Sequence, residues 1–324
     1  MISFAFSGIL ITLAVSLVFL QYSFSRTRND VFPSSFLQVK DEILPDRTGH
    51  ELLVAKSRSL AYGGSPEFKI KTIQDNNDYC LEAQTLAKNE PLVMAKCSDS
   101  TTQKWRIDQL GRFRPRSDDK LCLGKKSSGA ALKRCQIPSR FYFNAFEDTI
   151  NFATNGRKIL IADDKITRVS SYVDIKTIWS IDPPIFQSKK DLPLNKFQIK
   201  SKKSSLCVEA SSLKRKSDIT LGECDATKST QVWKVHDGSV LTLANADIQN
   251  CIVKGSNGRL KLGKSCARIS STNKAFIFDG ISSAIIHKRR GYQAFTAING
   301  TVMMMYRDPR EEIEEMQQWS LEAV

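Results

Sequence analysis

Hydrophobic positions form two kinds of pattern along this chain. Residues 2–20 are almost all apolar, and residues 1–25 contain no Lys, Arg, Asp or Glu. After them, apolar residues come in short segments rich in β-branched and aromatic side chains and bounded by Gly, Ser, Asn or Asp, which predicts short strands. Examples are 68–73, 92–95, 219–221, 240–243 and 275–278. The pattern predicts an all-β chain, with a weak helix at 41–53 and a clearer one at 308–318 that begins with Asp308 and Pro309.

The apolar N-terminal run has the character of an export segment. It is long enough to span a bilayer, and Arg26 and Arg28 follow it directly. The tripeptide Ser23-Phe24-Ser25 fits a signal-peptidase site. Residues 1–25 are therefore predicted to be a cleaved signal peptide or a retained signal anchor through residues 2–20, with an unrelated apolar helix as the third reading. Residues 26–65 are predicted to be a stem or linker.

The remainder of the chain divides into two similar halves. Four pairs of matching positions lie 127 to 129 residues apart. They are Phe68-Lys69-Ile70-Lys71 with Phe197-Gln198-Ile199-Lys200, Cys80-Leu81-Glu82-Ala83 with Cys207-Val208-Glu209-Ala210, Cys97 with Cys224, and Gln103-Lys104-Trp105 with Gln231-Val232-Trp233. This agreement indicates tandem homologous domains, and a proline-bearing stretch at 183–194 lies between them.

Each half also repeats internally, at intervals of 36 to 43 residues. Every tryptophan begins the same pattern of Trp, spacer, aliphatic residue and polar residue, and Phe143 and Phe276 stand at the equivalent places. The tryptophans are Trp105, Trp179, Trp233 and Trp319. Each half thus contains three repeats.

Three-fold repeats of about 40 residues that end in Gln-x-Trp resemble the ricin-B-type lectin domain, a β-trefoil. Gln103/Trp105, Gln231/Trp233 and Gln317/Trp319 match the motif fully. The resemblance implies two tandem β-trefoils of three lobes each, over residues 66–182 and 195–324. In that family the Trp is a core residue and the Gln ties the preceding loop to the backbone.

Eight cysteines behind an export segment indicate four disulfides in an oxidising compartment. The resemblance implies that each disulfide lies within one lobe. The implied pairs are Cys80–Cys97, Cys122–Cys135, Cys207–Cys224 and Cys251–Cys266. Bound metal is not expected, because the chain has no C-x-x-C motif and only three histidines.

The resemblance also implies where a sugar would bind. The family pocket has an acid two residues after the first Cys of a lobe, an aromatic platform two before the second Cys, and an Asn before the Gln. Here the acid is Glu82 or Glu209, longer than the usual Asp, and the platform position holds Ala95 or Gly222. The candidate sugar-binding residues are Glu82, Thr102, Gln103, Glu209, Thr230, Gln231, Tyr306 and Gln317. The alternative for the two acids is that they are solvated loop acids or turn caps.

Charge supplies a different hypothesis. The chain has 48 Lys+Arg against 34 Asp+Glu, a net charge of +14, with basic clusters at 112–116, 200–203, 214–216 and 287–290. Clustered cations on a rigid scaffold bind anionic polymers, although such charges can also serve solubility alone. For an exported protein the expected polymer is an anionic polysaccharide rather than nucleic acid.

We therefore expect a secreted or lumenal, non-catalytic protein that binds galactose-type sugars and has no cofactor. A basic scaffold that binds anionic glycans or protein partners is the alternative, and membrane contact is expected only if residues 2–20 are retained. No nucleophile, zinc-protease or phosphate-loop motif points to an enzyme. Sequence alone leaves a paired-carboxylate glycosidase open, but residues 26–65 are too few for a separate catalytic domain.

Overall fold

The structure, a computed structural model, describes residues 65–74, 77–108, 110–127, 129–135, 141–152, 159–163, 166–170, 177–245, 250–263, 266, 275–288, 293–307 and 313–324. The predicted signal or anchor, the stem and the helix at 41–53 lie outside these residues. The described part of the chain contains no helix with the length and hydropathy required to cross a bilayer.

The first half contains twelve described strands. They are β1 (Lys69–Gln74), β2 (Asn77–Glu82), β3 (Val93–Lys96), β4 (Trp105–Ile107), β5 (Phe113–Pro115), β6 (Leu121–Lys126), β7 (Gly129–Arg134), β8 (Phe141–Asn144), β9 (Thr149–Phe152), β10 (Ile159–Asp163), β11 (Ile166–Ser170) and β12 (Ser180–Asp182). The second half contains twelve more. They are β13 (Phe197–Ser201), β14 (Cys207–Ala210), β15 (Ile219–Gly222), β16 (Trp233–His236), β17 (Val240–Leu243), β18 (Cys251–Lys254), β19 (Leu260–Gly263), β20 (Phe276–Asp279), β21 (Ala284–His287), β22 (Gln293–Ile298), β23 (Thr301–Tyr306) and β24 (Trp319–Ala323).

Strand pairing gives each half the β-trefoil arrangement. In the first half the barrel pairs are β1–β12, β4–β5 and β8–β9, and three hairpins, β2–β3, β6–β7 and β10–β11, form the cap. The second half repeats this plan, with β13–β24, β16–β17 and β20–β21 in the barrel and β14–β15, β18–β19 and β22–β23 in the cap. The prediction of an all-β chain with two tandem β-trefoils is confirmed.

The tryptophans fill the cores, as the family resemblance implies. Each is at most 1% exposed, and each indole N–H donates to a backbone carbonyl of the cap hairpin in its own lobe. The acceptors are Leu81, Leu160, Val208 and Phe295. A buried indole needs such an acceptor, so one residue supplies both apolar area and a fixed hairpin position. Phe143 and Phe276 fill the equivalent core positions in the other two lobes.

The four disulfides join the cysteine pairs that the family resemblance implies. Each bond closes a loop of 13 to 17 residues within one lobe, and no cysteine is free. In the first lobe of each half, the bond links the first strand of the cap hairpin to the loop that follows the second strand. That loop leads into the Gln-x-Trp motif and is thereby held beside the hairpin.

The helix predicted at 308–318 is wrong in its described part. Only Glu315–Gln317 forms one 3-10 turn, and β24 begins at Trp319. Gln317 is buried and donates to the Thr296 hydroxyl, which places the motif against β22. Because the same short turn precedes Trp105 at Thr101–Gln103, the Gln-x-Trp motif overrides the local helix pattern. Residues 308–312 are outside the described part.

The two halves contact each other through matching turns. Asn144 pairs with Asp279, and the rings of Phe146 and Phe278 stack with their centroids 5.8 Å apart. The largely buried Lys288 ammonium lies 2.9 Å from the Glu147 carboxylate. In the segment between the halves, Phe186 is buried against the rings of Phe68 and Phe143, so this stretch is packed into the core rather than extended into solvent.

Candidate functional site

The first lobe of each half places a carboxylate on its cap hairpin. Glu82 ends β2 opposite Val93 on β3, and Glu209 lies on β14 opposite Thr220 on β15. On both hairpins the neighbours of the acid along the strand are buried, so alternation leaves the acid facing outward. The two acids therefore occupy equivalent places on equivalent hairpins.

Both carboxylates bind the same pair of side chains. In the first half, the Thr102 hydroxyl donates to Glu82 Oε1 at 2.9 Å, and Gln103 Nε2 donates to Glu82 Oε2 at 3.0 Å. In the second half, Thr230 and Gln231 make the same two bonds to Glu209, both at 3.0 Å. We call each set of three side chains a carboxylate triad. The structure thus brings six of the eight sequence-predicted residues together in two triads.

The glutamines of the triads also hold the loops around them. Gln103 accepts from Ser98 N at 2.8 Å and donates to the Lys96 carbonyl at 3.0 Å. Gln231 accepts from Asp225 N at 2.8 Å and from Gln198 Nε2 at 2.9 Å, and it donates to the Glu223 carbonyl at 2.7 Å. Each glutamine therefore fixes its carboxylate relative to the disulfide-closed loop, so the acid is preorganised.

The platform position of the second triad is filled by the triad itself. A Cβ at Gly222 would overlap Glu209 Oε2 and would lie 3.4 Å from Gln231 Nε2. The longer acid reaches over the glycine to its two partners, and the space where an aromatic side chain would begin is taken. The first triad has Ala95 in the matching register, opposite Cys80. Neither triad offers a ring for stacking on a sugar from this position.

The other two candidates do not form such a triad. Tyr306, at the end of β23, is 67% exposed, whereas Gln317 is buried and donates to Thr296. In the third lobe of the first half, Asp163 forms an ion pair with Arg168 at 3.0 Å.

Loop carboxylates near both triads are held ionised. The Thr227 hydroxyl and N–H donate to Asp225, so the pKa of that carboxyl lies below its ordinary value. Lys69 similarly lowers the pKa of Asp99, whose carboxylate accepts from its ammonium at 2.9 Å. These ionised loop acids beside the triads add negative charge around an otherwise basic molecule.

The basic clusters of the sequence differ in how far they are neutralised. Arg112 and Arg114 both bind Asp108, and Arg116 binds Glu67 at 2.5 Å. The loop at 214–216 is instead exposed. Lys288 pairs with Glu147, and residues 289–290 lie outside the described part.

Two further cations, Arg259 and Lys261, were missed by the search for runs of basic residues. They lie two positions apart at and beside the start of β19, and Leu260 between them is buried. Their alternation with buried residues was the available signal, because residues two apart on a strand share a face.

Residues 68–156 match the family model described as the ricin-type beta-trefoil lectin domain. No curated protein matches the chain. Among solved structures, the chain is similar to a non-toxic homologue of type II RIPs from Momordica charantia, solved in complex with α-methyl-D-galactoside. The sequence identity is 14%, the match covers 80% of this chain and 98% of that chain, and the TM-score is 0.36. It is also similar to the agglutinin from Abrus precatorius, with 15% identity, coverage of 81% and 97%, and a TM-score of 0.35. With the matched residues, the Gln-x-Trp pattern and the pairing of the strands, the chain resembles the ricin-type β-trefoil lectins in two tandem copies.

Proposed function

We propose that this chain is a non-catalytic carbohydrate-binding protein whose two carboxylate triads bind hydroxyls of a neutral, galactose-type sugar. The observation that carries the proposal is the recurrence of the same triad, with the same two hydrogen bonds, on equivalent hairpins of both halves. The family match covers the first triad. Galactoside is the ligand named for the Momordica charantia relative.

The chemistry of the triad suits hydroxyl recognition. An ionised carboxylate accepts about four hydrogen bonds, and two are used inside each triad. The remaining acceptor positions can take two adjacent sugar hydroxyls. The Glu209 side chain is 22% exposed, which leaves an edge open to solvent. Because no ring stacks on the sugar here, we expect modest affinity for each site and a gain from using both halves at once.

The same proposal covers organisation and location. Residues 1–25 serve as a signal peptide or anchor and residues 26–65 as a stem, followed by β-trefoils at 66–182 and 195–324 that the segment 183–194 joins. The mature protein is secreted or lumenal, which fits its four disulfides. Sequencing the mature N-terminus tests this directly. A start near Arg26 is the expected result, and an intact residue 1 on a membrane-bound protein would replace the cleaved signal with an anchor.

Binding of neutral galactosides to the full chain and to the Glu82→Ala/Glu209→Ala variant tests the function. We expect the double variant to lose binding, whereas Glu223→Ala, which removes an exposed acid beside the second triad, keeps it. Thermal unfolding of each variant confirms that the protein is folded. Unchanged binding by the folded double variant refutes the role of the triads. If the wild-type protein binds no neutral glycan, the proposed binding of neutral sugars is refuted.

A second candidate is binding of anionic glycans, which the exposed cations at 214–216 favour over a purely solubilising role. Binding to sulfated or uronate-rich polysaccharides that disappears in high salt would support it. If neither neutral nor anionic glycans bind, protein partners become the remaining class.

A further inference from the structure

The hairpin β18–β19 of the second half borders a cleft of about 200 Å³. Its lining consists of hydrogen-bonding groups and cations rather than apolar side chains. The lining residues are Gly255, Ser256, Asn257, Arg259 and Lys261. A cleft of this size holds one saccharide unit or one oxyanion group, and it belongs to neither triad.

Strand register shows that this hairpin has the opposite charge to the two hairpins with triads. In those, a glutamate faces an uncharged partner, because Glu82 pairs with Val93 and Glu209 with Thr220. In β18–β19, Val253 takes the place of the acid and its partner is Lys261. The carboxylate that would accept sugar hydroxyls is absent from this position, and an ammonium stands opposite.

Val253 also leaves no room for an aromatic side chain at the position of Gly263 on this hairpin. A Cβ at Gly263 would overlap the Val253 side chain. Val253 is partly buried against Val240 and the disulfide cysteines Cys251 and Cys266. Because a β-branched side chain is stiff, Val253 cannot swing away as a glutamate can. The outward face of β18–β19 therefore offers a ligand charge and hydrogen bonds rather than a stacking surface.

The cations of the cleft are available to a ligand. Arg259 is exposed, and no ion pair of its guanidinium is found among the residues that the structure describes. Lys261 is 41% exposed and lies 3.6 Å from Asp218, a distance at which the pair is weak at a surface. The Arg259 guanidinium can bind an oxyanion with two parallel hydrogen bonds, and the Lys261 ammonium adds a positive charge beside it.

More cations lie next to the cleft. The loop at 214–216 is tied to β19 because Lys216 N donates to the Leu262 carbonyl and Leu262 N donates to the Ser217 carbonyl. Lys214, Arg215 and Lys216 are exposed, and within the described ranges none of their side chains forms an ion pair. One surface of the second half thus combines a small cleft with two cations and a loop with three.

We infer that this cleft binds an oxyanion, a sulfate or carboxylate group, of an anionic saccharide. Arg259 and Lys261 hold the group, Ser256 and Asn257 bond to neighbouring oxygens, and the loop at 214–216 attracts the rest of the polymer. The inference rests on the second candidate function and assigns it a site. A saccharide is favoured over nucleic acid because the cleft is a small, half-open space lined by five residues, large enough for one saccharide unit, rather than a long groove along a strand.

The test is isothermal titration of the full chain with a sulfated galactan oligosaccharide, a uronate oligosaccharide and a neutral galactan of equal length, at two salt concentrations. We expect the anionic ligands to bind and to weaken with salt. Arg259→Ala/Lys261→Ala should weaken that binding about 10-fold or more, since each contact to a charged group is worth at least a factor of several. The ratio between the sulfated and the uronate ligand identifies the preferred oxyanion.

Two further variants make the result specific. Lys189→Ala/Lys190→Ala removes the same charge from an exposed turn elsewhere, and we expect a change below about 2-fold. Asp218→Asn removes the acid beside Lys261 and should tighten binding about 2-fold, a gain that misfolding cannot mimic.

Equal losses in the Arg259/Lys261 and Lys189/Lys190 variants would overturn the cleft while leaving general anionic-glycan binding in place. No binding of any anionic saccharide would overturn both. Tighter binding of a DNA duplex than of either saccharide would overturn the assignment of the ligand.

Discussion

Alanine substitution of the three motif glutamines separates their structural contributions. Gln103, Gln231 and Gln317 stand at the same place in their lobes and are all nearly buried, at 2%, 0% and 5% exposure. Each substitution removes the same atoms from a similar environment. Differences between the three variants in the free energy of unfolding therefore report mainly the hydrogen bonds that each side chain makes.

The bonds predict a clear order. The Gln231 side chain makes four hydrogen bonds, Gln103 makes three, and Gln317 makes one, to Thr296 at 3.2 Å, among the described residues. At about 1 kcal/mol net for each bond, the hydrogen-bond part of the loss is about 4, 3 and 1 kcal/mol respectively. The cavity cost is shared by all three and does not alter the order.

Guanidinium unfolding followed by tryptophan fluorescence and by far-ultraviolet circular dichroism measures the three losses, with disulfides intact. Both probes are needed because two homologous halves can unfold in separate steps. We expect Gln231→Ala to be the least stable and Gln317→Ala the closest to wild type. If Gln317→Ala loses as much as Gln231→Ala, the internal bonds of the triads do not govern stability and the reasoning fails.

Three other substitutions test separate parts of the structure. Replacing both Cys207 and Cys224 with Ser should lower the free energy of unfolding by about 3 kcal/mol, because a 17-residue loop is no longer closed in the unfolded chain. Denaturant unfolding under non-reducing conditions measures this loss, and an unchanged free energy would contradict a structural role of the disulfide. Burial raises the pKa of the Asp148 carboxyl, so ionising this group costs stability as the pH rises from about 4 through the raised pKa. The Asp148→Asn variant should therefore have a higher thermal unfolding midpoint than the wild type at pH 7, but the same midpoint at pH 3. An equal difference in midpoint at both pH values would contradict this. Gly222→Trp should displace the Glu209 carboxylate and destabilise the second half. Adding Glu209→Asp should recover the stability and strengthen galactoside binding, which titration measures. If the double variant is no more stable than Gly222→Trp, the acid does not fill the platform space.

The parts of the fold that the sequence predicts are those fixed by repetition. Trp105 and Trp233 recur in the Gln-x-Trp pattern, and the family resemblance implies that both are core residues; the structure buries both and bonds their indole N–H groups to the Leu81 and Val208 carbonyls. The family pattern likewise implies the cysteine pairs. In contrast, the helix predicted at 308–318 rests on local propensity alone, and the tertiary bond of Gln317 prevails over it.

The candidate site is less predictable because it depends on distances between side chains. The sequence identifies Glu82 and Glu209 as acids at a family position, but it does not show that both oxygens of each are engaged by a threonine and a glutamine. The sequence also treats the cluster at 112–116 and the loop at 214–216 alike, although two arginines of the first form ion pairs with Asp108. Runs of charge in a sequence do not reveal which charges are paired across a sheet.

Two glycines lie opposite the first cysteine of their hairpins, Gly222 opposite Cys207 and Gly263 opposite Cys251, and they differ in what fills the space above the backbone. At Gly222 the space above the backbone is taken by a flexible carboxylate, and at Gly263 it is taken by stiff valine methyl groups. A ring can return to the first position when the acid is shortened, whereas the second also lacks the acid and faces Lys261. Because neither hairpin has a stacking surface there, we expect the hairpin with Glu209 to bind sugar hydroxyls and the hairpin with Lys261 to bind anionic groups. Because the two ligand classes differ in salt dependence, a titration series on the full chain, the Glu82→Ala/Glu209→Ala variant and the Arg259→Ala/Lys261→Ala variant can assign each class to its own hairpin.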